Sequence, residues 1–275
     1  MLPAVVVSCH NMPIPFIVII VSLLGIVVGS FLNVVVFRVR DNEPLTGRSK
    51  CRTCLEPVAV LDLVPVVSFF ALKGRCRKCS SVIEWQYPVV ELVMGVAFGL
   101  LCIRAILGIA IPSFITDDEL ILLFIRDAIV ACFLMIIFVY DFRYSYILDK
   151  FSLPAILLAF MINASLGMSV EWMLLGGLVL GAFFAFQFLV SRGEWVGGGD
   201  IRMGMLMGVY LGLELGAVAL FLSYVLGAII GIFLIVFRHR KPESHVPFGT
   251  FMTLATFATL FFGQTLLEWY LGFFS

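Results

Sequence analysis

The chain has 275 residues, of which 62% are hydrophobic and only 13% charged. Soluble domains run nearer about 45–50% apolar and about 25% charged, so composition excludes an ordinary water-soluble fold. A formal net charge of zero gives no reason to expect a nucleic-acid partner.

The first apolar stretch runs from about Phe16 to Phe37, with no Lys or Arg ahead of Arg38. It lacks the basic leading region of a signal peptide and is long enough to cross a bilayer, which takes roughly 20 residues. It is therefore expected to be a retained helix. One long hydrophilic island follows, over residues 39–86, and holds Cys51-x2-Cys54, a gap of 21 residues, and Cys76-x2-Cys79. Each C-x-x-C can present two thiolates from a tight turn, and two such turns complete a tetrahedral S4 shell for structural zinc. Arg52, Arg75, Arg77 and Lys78 would offset its negative charge. Two disulfides or redox chemistry are the alternatives, and a cytoplasmic setting disfavours the disulfides. Four cysteines leave no open position for a catalytic water. Cys9, Cys102 and Cys132 are isolated and carry no assigned role.

The apolar runs continue at roughly 87–111, 119–140, 151–167, 172–191, 201–213, 216–237 and 248–273, the sixth span in all being short and Gly-rich. They show no period-2 alternation, which favours helices over a barrel. Nine Lys or Arg lie between Arg38 and Lys78; Arg143 and Lys150 follow the third span, Arg192 and Arg202 bracket Gly197-Gly198-Gly199-Asp200, and Arg238, Arg240 and Lys241 follow the seventh. The alternate loops hold Asp117, Asp118, Glu119, Glu171 and Glu214 without a basic residue. The positive-inside rule then puts both termini outward and the cysteine island, Asp141, Asp149 and Asp200 on the cytoplasmic side. Arg104 and Arg126 fall inside spans two and three; they either snorkel outward or pair with Asp117, Asp118 or Asp127. The expected architecture is an all-α polytopic membrane protein of about eight transmembrane helices with a small, zinc-ribbon-like cytoplasmic insert. Residues 1–38 form the first helix, 39–86 the four-Cys module and 87–275 a seven-helix membrane domain.

Asp141 closes span three and Asp200 opens span six. Alone, Asp200 reads as a helix N-cap and Asp141 as an interfacial charge paired with Arg143. Together, at one membrane face, they suggest a dyad in which one carboxylate deprotonates water and the other protonates a carbonyl oxygen. The glycines before Asp200 suit a close approach of backbone. Other intramembrane protease chemistries find no footing: there is no H-E-x-x-H and no G-x-S-x-G, and His10, His239 and His245 are scattered. Asp149, eight residues past Asp141 in the same loop, competes for the first position, and which acid holds the proton is open.

These residues resemble the type IV prepilin leader peptidases, a branch of the G-x-G-D intramembrane aspartyl proteases. The likeness covers most of the chain. Gly29-Ser30-Phe31-Leu32-Asn33 through Arg38 is similar to the family's first helix, and the C-x-x-C pairs to its cytoplasmic insert, with Gly74-Arg75 before the second pair and Tyr87-Pro88-Val89-Val90-Glu91-Leu92 after it. Asp141 matches the first catalytic aspartate, Gly197-Gly198-Gly199-Asp200 the G-x-G-D motif, and Pro247-Phe248-Gly249 a further motif before the last helix. Ile147-Leu148-Asp149 departs from the family's frequent Leu-Pro-Asp. The resemblance implies an enzyme of the bacterial inner membrane that cuts the basic leader from prepilins or pseudopilins after a glycine on the cytoplasmic side. It also implies N-methylation of the new terminus from S-adenosylmethionine, although no G-x-G-x-x-G opening a helix is present. Gly74 and Arg75 mark the candidate surface for that second step. A pilus, secretion or DNA-uptake system would supply the substrate. The competing classes are a transporter or channel with a zinc-bound regulatory module, and a non-enzymatic assembly factor.

Overall fold

A computed structural model describes residues 13–112, 114–238 and 247–273. Cys9, His10, His239, Arg240, Lys241 and His245 lie outside these residues. The described chain is helical, with two isolated antiparallel bridges, Lys50 to Pro57 and Arg75 to Val82. The helices are α1 (Ile14–Arg40), α2 (Val67–Ala71), α3 (Gln86–Leu107), α4 (Leu120–Tyr144), α5 (Asp149–Ser165), α6 (Val170–Ser191), α7 (Gly198–Arg238) and α8 (Phe248–Leu271). Six are long and apolar enough to cross a membrane. This is an integral membrane protein.

Helix ends follow local chemistry. Pro15 sits in the first turn of α1, where its missing N–H costs no bond, and Arg38 and Arg40 close the last turn. A capping box of Thr116 and Glu119 starts the short 3-10 turn leading into α4. Ser145, at φ 51°, ends α4 in the left-handed region, its amide bonded to the Asp141 carbonyl.

The expected sixth and seventh spans run on as α7, which breaks at Gly212 (φ 80°, ψ 176°). Only glycine adopts that conformation without strain. Counting α7 as two halves and including the 17-residue α5, the described residues hold eight apolar helical segments, the number expected from the sequence.

The chain divides into two compact units, Cys9–Ile103 and one that runs from Arg104 to the C-terminus. In the first, α1 lies against α3 through small residues: a Cβ on Gly29 would stand 2.8 Å from the Cα of Glu91. In the second, α7 packs along α6, α5 and α8, and α4 along α5 and α8.

The charges expected inside the membrane are neither isolated nor snorkelled. Asp127 is 1% exposed and receives the guanidinium groups of Arg104 and Arg126, each at 2.6 Å, and the Tyr210 hydroxyl at 2.8 Å. Arg126 also donates to Asn163, whose amide nitrogen donates to the carbonyls of Val209 and Tyr210. Those carbonyls precede the Gly212 break, where helical partners four residues on are lost. The cluster thus supplies donors that the interrupted helix cannot.

Candidate active site and cysteine centre

Asp141, at the C-terminal end of α4, is buried. One of its carboxylate oxygens accepts from the Thr250 amide at 2.6 Å and the Thr250 hydroxyl at 3.0 Å. Thr250 is the third residue of α8, so the carboxylate caps a positive helix end. Pro247, the N-cap of α8, starts that helix. Phe248 packs on Tyr224 and Phe184, and Gly249 leaves the room Asp141 occupies: a Cβ there would meet its carboxylate oxygen at 2.9 Å.

Asp200 stands in the first turn of α7, 8% exposed, and reaches back to the Gly197 amide at 2.8 Å. It caps its own helix, as the simplest reading of the residue holds, but only one oxygen is used. Gly199 presses on Ile147, whose Cβ a methyl group would meet at 2.6 Å, whereas Gly198 has open space around it. The close approach at this motif is thus to a side chain and falls on Gly199. A methyl group on Gly249 would meet the tip of Ile147 at 2.8 Å. Ile147 therefore touches the turn that carries Asp200 and the start of α8, whose Thr250 holds the Asp141 carboxylate.

Asp149 is placed apart. Its side chain is 52% exposed and paired with Arg202 at 2.5 Å. Three further contributors were not anticipated: Thr250, Ile147 and the pair Tyr224–Gln187, joined by a 3.1 Å hydrogen bond, with Tyr224 packed on Phe248. Thr250 follows the Pro247-Phe248-Gly249 run directly, the one sequence signal that could have found it.

In the N-terminal unit the cysteines form two matched knuckles. Cys51 N–H donates to Glu56 O and Leu55 N–H to Cys51 O; Cys76 N–H donates to Ser81 O and Ser80 N–H to Cys76 O. Leu55 (φ 59°) and Ser80 (φ 57°) hold the left-handed turn after each second cysteine. All four Sγ atoms lie within 4.8 Å of one another, so the group could hold a metal ion. Cys51 and Cys79 are 3.8 Å apart, close to the edge of a tetrahedron with ligand bonds of about 2.3 Å. The Cys54 amide lowers the Cys51 thiol to about 6. Cys54 is pushed up to about 11 despite the Glu56 amide, because burial and the Cys51 and Cys79 sulfurs disfavour a second charge. Without a cation the cluster thus resists full deprotonation; Ser81 bonds to both Cys51 and Cys79.

Comparison with known proteins gives two family matches: residues 23–105 to the bacterial peptidase A24 N-terminal domain, and residues 128–232 to the type IV leader peptidase family. Proteins named prepilin leader peptidase/N-methyltransferase are similar along nearly their whole length. That of Aeromonas hydrophila is 29% identical, covering 92% of this chain and 93% of its own. That of Neisseria gonorrhoeae is 30% identical over 88% and 89%. That of Pseudomonas aeruginosa is 27% identical over 91% and 92%. No solved structure matches the chain.

Proposed function

Because the chain belongs to the type IV leader peptidase family, we propose that Asp141 and Asp200 are the catalytic pair of an intramembrane aspartyl endopeptidase that removes the leader of prepilins or pseudopilins. The observation that carries this is their convergence through Ile147, Gly199 and Gly249. Two acids so placed share a proton: one takes a proton from water as it attacks the scissile carbonyl, and the other gives one to the carbonyl oxygen. The alternate basic loops support a site at the cytoplasmic face of a bacterial inner membrane, where a basic leader would stay while its apolar helix lies in the bilayer.

After cleavage, the new terminus is methylated. S-adenosylmethionine, when bound, supplies a methyl group activated by positively charged sulfur. Within the N-terminal unit a cavity of about 1060 Å³, lined by acidic and basic side chains alike and by the rings of Phe37 and Tyr87, has the size to take this molecule. Mass spectrometry of a prepilin incubated with the purified protein, with and without the methyl donor, tests both steps. A product shortened at a glycine and heavier by one methyl only with the donor is expected; an intact prepilin would remove the assignment.

The module of residues 39–86 holds structural zinc on Cys51, Cys54, Cys76 and Cys79. Elemental analysis should find about one zinc per chain. Cys76→Ser should lose the metal and lower the melting temperature by about 5 °C or more, since the module's folding is tied to the ion. The remaining folded fraction should still cleave.

A further inference from the structure

The N-terminal unit buries one acid that the steps above leave without a role. Glu91, near the start of α3, is 5% exposed and lines the cavity with Ser30, Phe37, Arg38 and Tyr87. Its carboxylate accepts from the Val66 amide at 2.7 Å.

Val66 is itself unusual, with φ 63° and ψ −56°. A β-branched residue at positive φ is strained and persists only where its surroundings over-determine it. Gly29 fixes the other side, with no room for a side chain against the Glu91 backbone. The carboxylate is thus held by the Val66 amide on one side and by the close helix contact at Gly29 on the other.

Its counter-charge is missing. Among the described residues no Lys or Arg pairs with Glu91, although basic side chains line the same cavity. Four of them are engaged elsewhere: Arg38 with the carbonyls of Pro44, Thr46, Gly47 and Arg48, Arg52 with Asp41 and Glu84, Arg77 with Asp62, and Lys78 with Glu56. A buried carboxylate with one amide donor and no cation is costly, and a glutamine would serve Val66 without that cost. A carboxylate has room for about four donors, so a cationic ligand can still be accommodated.

We propose that Glu91 receives the ammonium group at the amino terminus of the cleaved substrate and takes its proton before methyl transfer. The inference rests on the methylation reading above. An ammonium has no lone pair and cannot attack. One proton passes to the Glu91 carboxylate, and the nitrogen lone pair forms the new N–C bond as the sulfur–methyl bond breaks. That bond's electron pair stays on sulfur, which leaves as a neutral thioether; Glu91 then returns its proton to water.

The test uses the full-length protein in detergent, a prepilin peptide, and the already-cut peptide with a free or an acetylated amino terminus. In Glu91→Gln the ratio of methylated to merely cleaved product should fall by about 100-fold or more. The free-amine peptide should bind about 10-fold more weakly than to wild type, and the acetylated peptide equally to both. Glu91→Asp should recover part of each loss. Wild-type methylation by Glu91→Gln, or an unaltered preference for the free amine, would overturn the assignment alone. Should both variants lose zinc and thermal stability together, Glu91 is structural and the assignment falls. Absence of methylation by wild type would remove the methylation reading and this role with it, leaving cleavage intact.

Discussion

Asp141→Asn and Asp200→Asn should each lower leader cleavage by about 10³- to 10⁴-fold, and the double variant should be little worse than either alone. Acid–base groups contribute about 10²- to 10⁴-fold each, and members of one catalytic unit are strongly non-additive. The substitutions are nearly isosteric, and the geometry predicts modest stability costs. Asparagine at 141 can still accept from Thr250, and at 200 it can still accept from Gly197. Asp149→Asn supplies the contrast. It only weakens a half-exposed pair with Arg202, so cleavage should stay within a few fold. Initial rates for the three variants, beside melting curves, decide the matter. An Asp149 variant as inactive as the other two would move the first catalytic position into the loop.

Asp127→Ala should be the most damaging single change to stability in the C-terminal unit, at about 3–5 kcal/mol. The carboxylate answers two guanidinium groups and a phenol, all buried. Removing it leaves Arg104 and Arg126 in an apolar interior with only neutral acceptors: the carbonyls of Leu260 and Ala110 for Arg104 and the Asn163 side chain for Arg126. Tyr210→Phe removes one donor and should cost about 1 kcal/mol. Thermal unfolding in detergent gives the order directly: wild type, then Tyr210→Phe, then Asp127→Ala far below. A small effect for Asp127→Ala would mean that water or lipid headgroups reach the cluster.

Most of the eight apolar segments were legible because they are long runs, and such a run has no stable state in water. A boundary near the Gly212 break was also visible, as the gap at residues 214–215 between two expected spans. The joining of those spans into one element was not, because the break deflects the chain at one residue without a loop. The pairing of the buried charges was invisible for a different reason. Asp127 and Tyr210 are 83 residues apart, and only packing brings them together. Choosing Asp141 over Asp149 likewise depends on where α4 ends, since Ser145 turns the chain before Asp149 begins the next helix. Thr250 acts partly through its backbone amide, which no side-chain pattern reports. The cysteines were the plainest case, because paired C-x-x-C spacing already encodes two turns.

Ile147 carries one more implication. A single aliphatic side chain wedged against Gly199 and Gly249 works as a shim: its thickness sets the clearance between the strip that carries Asp200 and the one whose Thr250 grips Asp141. Neither strip can shift without the other unless the shim withdraws. The spacing between those two strips is therefore set by one side chain of the short loop before α5.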